Sequence, residues 1–470
     1  MNRFFYITST LPYVNAEPHI GFALEMVQAD VIARLKKLLG YEVVFNTGTD
    51  EHGLKIYQKA VAEKKDPQSY CDGYAAKFIK LKDALNLSYT HFIRTTDQHH
   101  MQAAQEFWTR CFNNGDIYKK MYAIKYCVGC ELEKTDSELK DNRCPLHPNQ
   151  ELEIINEENY FFRFSKYQQK LLDLYKNNPQ FIIPDYRQKE IVSFVQKGLE
   201  DFSVSRLKSK MPWGVDVPND SEHVMYVWFD ALINYISTLG WPADQKKFRQ
   251  FWPGFQIAGK DNLRQQSAMW QAMLMSAGLP SSRQIFIHGF ITSEGQKMSK
   301  SLGNVVDPIG LTKKYGTDAV RFYLLKEIPS FDDGNFSYSR MEEIYSSDLA
   351  NELGNLVMRI TNLSEKDKLI INEKSSPCYE KETLDLFENY QFSKVIYNIW
   401  QEIKKLNKDI DEFAPWKKSA DIRRDFLIKG IGRLKVIGQQ LLPLLPETAD
   451  KIINSVNGSI KKAPVLFPKL

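Results

Sequence analysis

Apolar and polar positions along the first hundred residues switch between two periods. Phe4 to Thr10 is an apolar, β-branched run, which predicts a buried strand. A loop with Pro12 and Pro18 follows. From about His19 to Leu39 apolar residues recur at helical spacing, until Gly40 ends the pattern. Val43 to Thr47 predicts a second buried strand, Tyr70 to Leu85 a helix, and His91 to Thr95 another strand. This β-α-β rhythm predicts an α/β fold built on a doubly wound, Rossmann-like parallel sheet. Between about 118 and 222 the rhythm breaks into irregular segments with aromatic runs such as Asn159-Tyr160-Phe161-Phe162. It returns as strand-like stretches at Val224 to Trp228, Phe255 to Ala258 and Ile285 to Ile291. From about Arg340 helical patterns take over, through Leu349 to Ile360, Phe392 to Ile410 and Ile422 to Leu442. The expected organisation is a first half-sheet over 1–117, an insertion over 118–222, a second half-sheet over 223–339 and an all-α helical bundle over 340–470.

Composition narrows the class. Hydrophobic residues make up 43% and charged residues 26% of 470 positions, as in ordinary globular proteins. A net charge of +4 permits a nucleic-acid partner without arguing for one. No apolar run approaches the ~20 residues of a membrane span, so no membrane partner is expected. The opening MNRFFYITST reads as a strand, not as a leader with a long apolar core. Six cysteines are few for this length, and three of them (Cys127, Cys130, Cys144) fall close together. That pattern suits a cytoplasmic protein with one metal site better than a disulfide framework.

Cys127-x-x-Cys130 is followed, after thirteen residues, by Cys144-x-x-His147. Two short pairs joined by a loop give four ligands in tetrahedral reach, the arrangement of a structural zinc. No ligand position stays open, which argues against a catalytic metal. Four unrelated residues in a surface loop are the alternative; the doubled spacing favours zinc.

A nucleotide-binding sheet needs a phosphate site, yet the chain has neither G-x-x-x-x-G-K-[ST] nor G-x-G-x-x-G. Two segments offer one. Pro18-His19-Ile20-Gly21-Phe22 falls where a loop enters the first helix. A helix N-terminus presents unpaired N–H groups to an anion, Gly21 lets a ligand approach, and His19 can donate to a phosphate oxygen. Lys297-Met298-Ser299-Lys300-Ser301, between Gly295 and Gly303, is a mobile cationic turn that can close over a triphosphate. Alone, the first is an ordinary helix cap and the second a solvated basic turn.

In this order at opposite ends of a split sheet, the two segments resemble the His-Ile-Gly-His and Lys-Met-Ser-Lys-Ser signatures of class I aminoacyl-tRNA synthetases. The second matches in full; the first has Phe22 in place of its last His. The resemblance extends over nearly the whole chain and points to the methionyl branch, in its single zinc-knuckle subgroup. Leu11-Pro12-Tyr13-Val14-Asn15-Ala16 looks like the first pocket loop of that branch, and Gly48 to Gly53 like its second-strand motif. The resemblance implies Asp50 on the substrate ammonium. Leu11, Tyr13, Trp228, Leu232, Tyr235 and Gln266 would surround the methionine side chain. Asn15, His19, Gly21, Gly259, Asp261 and Lys297 to Ser301 would hold ATP. The family usually has an apolar residue and a His where this chain has Asn262 and Gln266. Gln266 keeps the capacity to hydrogen-bond a neighbouring Tyr hydroxyl. An insertion of about 105 residues is too short for the hydrolytic editing domain that branched-chain substrates require. In the helical tail Asn355, Arg359 and Trp416 match positions that read the CAU anticodon.

The implied reaction is ATP-dependent attachment of L-methionine to tRNA(Met) by way of methionyl-adenylate, with AMP and diphosphate released. His19, Lys297 and Lys300 would stabilise charge, with Mg2+ accompanying ATP, and the enzyme would be a monomer. Asn262 and Gln266 motivate one alternative, a same-fold synthetase for another amino acid. Phe22 motivates a second, a non-catalytic tRNA-binding paralogue.

Overall fold

The computed structural model describes residues 3–130, 132–134, 138–299, 302–372 and 379–470. At its centre lies a six-stranded parallel sheet. In spatial order its strands are His91–Arg94, Tyr41–Thr49, Arg3–Thr8, Phe255–Gly259, Gln284–His288 and Ile182–Ile183. Every pairing between neighbours is parallel. Ile7 and Thr8 stand in register with Phe255 and Gln256, so the two halves meet at the sheet's centre. The strand order reverses there, which opens a crevice beyond the strands' carboxyl ends.

Helix Ile20–Leu38 packs across this junction. Most of its residues are buried, including Glu25 and Asp30. Its apolar side joins one cluster that continues through Val320, Phe322 and Leu324 into the helical tail at Ile399, Trp400 and Leu434. The tail helix Phe392–Phe413 shows why the periodicity was readable. Phe392, Val395, Ile396, Ile399, Ile403, Leu406 and Ile410 form one buried stripe at spacings of three and four. It stops at Ala414, held in the left-handed region (φ 50°), with Pro415 next.

Several expected elements differ. Val224 to Trp228 is not a strand of the main sheet. Strand Asp220–Met225 runs antiparallel in a separate three-stranded sheet, and Trp228 lies on the short helix Val227–Ala231. A brief apolar run with no polar alternation does not distinguish a buried strand from a buried helix. The stretch Ile285 to Ile291 divides at Gly289, where a Cβ would lie 2.2 Å from the Asp332 backbone; Ile291–Ser293 belongs to another small sheet. The region read as irregular holds a long hairpin, Ile117–Cys127 against Glu153–Phe162, which takes up the aromatic run. Ile182–Ile183 then supplies an edge strand to the main sheet. Leu349 to Ile360 spans a π-helical segment, Tyr345–Gly354, and an α-helix, Asn355–Lys366. Among the described residues no helix is long and apolar enough to cross a membrane.

One buried ion pair joins the first helix to the tail. Arg321 is fully buried, and its guanidinium lies 2.8 Å from Asp30. It also donates to the carbonyls of Leu444, Leu85 and Pro443 at 2.8, 3.0 and 3.1 Å. Asp30 accepts in addition from Arg34 and from the Ser88 amide and hydroxyl. Burial opposes its ionisation, but Arg321 and Arg34 hold its carboxyl below the usual range. Replacing Arg321 by Met strips three carbonyls and a carboxylate of one shared partner. Arg321→Met is expected to cost about 3–5 kcal/mol, read as a lowered urea midpoint; an unchanged midpoint would show the pair to be dispensable.

Candidate active site and metal centre

A cavity of about 310 Å³ opens at the crevice where the strand order reverses. Leu11, Tyr13, Asp50, Trp228, Leu232, Tyr235 and Gln266 all line it, with Asn15 and Asp261. The structure thus brings together every residue assigned from sequence to the amino acid and two assigned to the nucleotide.

Backbone pairing fixes one wall. The Asp50 amide donates to the Pro12 carbonyl at 3.0 Å and the Val14 amide to the Asp50 carbonyl at 3.1 Å. The Tyr13 hydroxyl donates to the His52 carbonyl at 2.7 Å. These bonds pull the loop after the first strand onto the end of the second, with the Asp50 side chain nearly buried beside it. The facing wall comes from helix Val227–Ala231 and the residues after it. Here Gln266, in the π-helical segment Gln265–Met269, donates from Nε2 to the Tyr235 hydroxyl at 2.6 Å. Its Oε1 accepts from Gln256 at 3.3 Å, and Gln256 in turn accepts from the Ser282 hydroxyl at 2.5 Å. A phenol that accepts from Gln266 keeps its own proton to donate. Burial pushes the Tyr235 pKa upward, so that proton stays in place.

At the end assigned from sequence to the nucleotide, His19 caps helix Ile20–Leu38, its Nδ1 accepting from the Gly21 amide at 3.1 Å. An imidazole that accepts at Nδ1 carries its proton on Nε2, which leaves Nε2–H as a donor. Although part of the ring faces solvent, desolvation in the cleft lowers its pKa and favours this neutral form. A Cβ on Gly21 would stand 3.0 Å from the His19 ring and 3.9 Å from the Met298 methyl. The two signature segments therefore meet at Gly21. The Ile20 amide also donates to the Val306 carbonyl at 3.1 Å, just past the cationic turn.

Within that turn, Gly295 (φ +78°) and Gly303 (φ +63°) bracket the chain in left-handed backbone. Lys297 stands exposed on the hairpin strand Gln296–Lys297. Asn304, just past the turn, holds its first half, accepting from the Ser299 amide at 2.9 Å and donating to the Lys297 carbonyl at 3.2 Å. Lys300 and Ser301 lie outside the described residues. Across the crevice, Gly259 ends its strand where a Cβ would lie 2.8 Å from the Asp261 carboxylate. Burial raises the Asp261 pKa. Beside it His288 pairs with Glu25 at 2.9 Å, and Glu25 accepts from the Thr10 amide and hydroxyl. Phe22 turns away from this chemistry. Its ring meets Phe78 edge-on at 5.3 Å, so the last position of the first signature packs a helix.

Sequence reasoning missed Thr10, Lys55, Gly129 and Asn234, which also line the cavity. Lys55 had a usable signal, since it follows Gly53 by two residues at the start of helix Leu54–Ala62. Asn234 had none, because its place depends on a hydrogen bond from Asn46 at 3.1 Å, far away in the chain.

Cys127, Cys130, Cys144 and His147 cluster with their ligand atoms within 4.8 Å of one another. Cys130 Sγ lies 3.1 Å from His147 Nδ1 and 3.3 Å from Cys144 Sγ, and Cys127 Sγ lies 3.7 Å from Nδ1. Such spacings fit ligands around one tetrahedral ion, and the cluster can hold a metal. Gly129 and Cys130 also face the cavity, so the knuckle forms part of its rim. Far off in the tail, Asn355 and Arg359 lie one turn apart on helix Asn355–Lys366. Arg359 pairs with Asp411 at 2.5 Å and lies 5.1 Å from the ring of Trp416, which is 48% exposed.

A family model described as tRNA synthetases class I (M) matches residues 5–149 and 130–361. A methionine–tRNA ligase of Thermotoga maritima is 40% identical over 96% of this chain and 75% of its own length. Another, of Thermosynechococcus vestitus, is 41% identical over 100% of this chain and 93% of its own. Among solved structures, Mycobacterium tuberculosis methionyl-tRNA synthetase in complex with methionyl-adenylate superposes with a TM-score of 0.92 at 35% identity. It covers 99% of this chain and 100% of that one. Its apo form superposes with a TM-score of 0.84 at 32% identity, covering 100% and 99%.

A Cβ at residue 129 would stand 2.5 Å from the His147 ring and would force that candidate ligand to shift. Purified chain is expected to carry about one metal ion per molecule, and Gly129→Ala to lose most of it, by elemental analysis. Full metal content in the variant would contradict this geometry.

Proposed function

The chain belongs to the class I methionyl-tRNA synthetases, and from that membership we propose how its own residues make methionyl-adenylate from L-methionine and ATP and charge tRNA(Met). One observation carries the assignment of roles. A carboxylate, an aromatic and aliphatic wall and the nucleotide end of a split parallel sheet converge on a single cavity.

Asp50 binds the α-ammonium as a charge-assisted pair. Leu11, Tyr13, Trp228 and Leu232 enclose the flexible, polarisable thioether. Tyr235, oriented by Gln266, offers its phenolic proton to the sulfur. ATP lies along Asn15, His19, Gly21, Gly259, Asp261 and the turn from Lys297 to Ser301, with Met298 and Ser299 shaping that turn. A methionine carboxylate oxygen attacks the α-phosphorus, the bond to the bridging oxygen breaks and diphosphate leaves. His19 Nε2–H and the helix N-terminus face the developing charge, while Lys297 and Lys300 draw the leaving diphosphate away. The 2′-hydroxyl of the terminal tRNA adenosine then attacks the adenylate carbonyl and AMP departs. Mg2+ bound to ATP would supply charge neutralisation at its phosphates. Cys127, Cys130, Cys144 and His147 would hold one structural Zn2+ that stiffens the cavity rim. Asn355, Arg359 and an exposed Trp416 suit base-edge contacts and stacking on an unpaired anticodon. The catalytic halves are assigned to 1–117 and 223–339, the knuckle insertion to 118–222 and the anticodon reader to 340–470, in a cytoplasmic monomer.

Amino-acid-dependent ATP–diphosphate exchange tests the reading. Exchange with methionine should exceed that with leucine or norleucine, and His19→Ala should lower kcat by about 10²–10³ at nearly constant methionine KM. Exchange with another amino acid instead would replace the substrate, and no exchange at all would favour the binding-only paralogue suggested by Phe22. The pH profile gives a second check. Because desolvation lowers the His19 pKa below the ordinary imidazole value of 6.5, the imidazole stays neutral until pH falls below that point. The acid limb of kcat/KM for ATP, which reports the free enzyme, is expected below pH 6.5. A limb above it that disappears in His19→Ala would reverse the protonation assigned here.

A further inference from the structure

Behind the aromatic wall lies a carboxylate that the reaction does not touch. Asp230 is fully buried and accepts from two imidazoles, His52 Nδ1 at 2.6 Å and His100 Nε2 at 2.9 Å. Burial favours the neutral acid, but the two histidines outweigh it and hold the carboxyl at about 2, so it is ionised at neutral pH. Moving any one of the three side chains would strand a buried charge, which makes the arrangement stiff.

Each member comes from a different element. Asp230 belongs to helix Val227–Ala231, which carries Trp228 and leads into Leu232 and Tyr235. His52 follows Asp50 by two residues, and its carbonyl receives the Tyr13 hydroxyl. His100 comes from helix Gln98–Asn113, its Nδ1 accepting from the Ser237 hydroxyl at 2.9 Å. The Asn46–Asn234 bond ties the same wall to the second strand further along. The Tyr6 hydroxyl on the first strand also donates to the Tyr235 carbonyl at 2.7 Å. Of these three points that pin the apolar wall, only the one at Asp230 is charged.

We propose that Asp230 is a positioning residue: through His52 and His100 it sets the spacing between the wall of Trp228, Leu232 and Tyr235 and the wall of Asp50 and Tyr13, and so sets amino-acid affinity. The proposal rests on the amino-acid reading of this cavity. A site that grips an ammonium on one side and an apolar side chain on the other needs both walls at one separation. A shift of about 1 Å weakens both contacts together. The chemical step uses His19 and the lysine turn on the nucleotide side, so it should be spared.

The test compares His100→Leu with His100→Gln in the full chain, because a Gln amide can still donate to Asp230. Exchange per titrated active site should show His100→Leu raising the methionine KM about tenfold or more. The ATP KM should hold and kcat stay within about threefold, with His100→Gln recovering most of the loss. A 5-fluorotryptophan placed at position 228 should give one narrow fluorine resonance in the parent and in His100→Gln, and a split or broadened one in His100→Leu. Ser237→Ala, a milder change, should move both readouts the same way if His100→Leu does not fold. An unchanged methionine KM together with an unchanged resonance overturns the proposal. Should the parent chain not use methionine, the substrate reading fails, and the fluorine resonance alone decides whether Asp230 orders the wall.

Discussion

The parallel pairing of Arg3–Thr8 with Phe255–Gly259 is the constraint on which the site depends. It joins two segments that lie far apart in the chain, and both leave the sheet in the same direction. The loop carrying Leu11, Tyr13 and His19 therefore emerges beside the turn carrying Asp261 and Gln266. Neither half-sheet alone forms a crevice. The reversal of strand order creates it, and the cavity lies there.

Helix Ile20–Leu38 turns that topology into chemistry. Its cap is His19, the donor proposed to face phosphate. Two turns in, Glu25 binds His288 and Thr10, tying the helix to both sides of the strand junction. Further on, Asp30 holds Arg321 and, through it, the Pro443 and Leu444 carbonyls of the tail. The buried charges of this helix are thus arranged outward from the nucleotide end, and each is paired. A helix so anchored keeps its N-terminal N–H groups and the His19 ring at a fixed place, as preorganised stabilisation of charge requires. The opposing lysine turn is built the other way. Glycines bracket it, and on its described part Asn304 makes two hydrogen bonds, which suits the proposed role of closing over ATP.

Much of this was legible in the sequence because it is local. The stripe of Phe392–Phe413 follows from helical periodicity, and the Cys-x-x-Cys and Cys-x-x-His pairs announce a four-residue cluster by their spacing. Asp50 and Tyr235 were named from short motifs that carry their structural context with them. What was missed depends on distant contacts. Val224 to Trp228 reads as one strand because five consecutive apolar residues have no period; the fold divides it between strand Asp220–Met225 and helix Val227–Ala231. The π-helical turn that presents Gln266 leaves no compositional mark. The His52–Asp230–His100 cluster draws on three elements, and nothing in their spacing announces that they meet. Phe22 is the reverse case: the departure was plain in the sequence, but its meaning, an edge-on contact with Phe78, needed the fold.

The most direct test of the account is a crystal structure of the chain with a non-hydrolysable methionyl-adenylate analogue. The analogue's ammonium is expected to pair with Asp50 and its thioether to lie among Trp228, Leu232 and Tyr235. Its ribose should lie by Asp261, and its phosphate within reach of His19 Nε2. Density for the analogue at the sheet's other end, or a phosphate beyond reach of both His19 and the Lys297 turn, would contradict it.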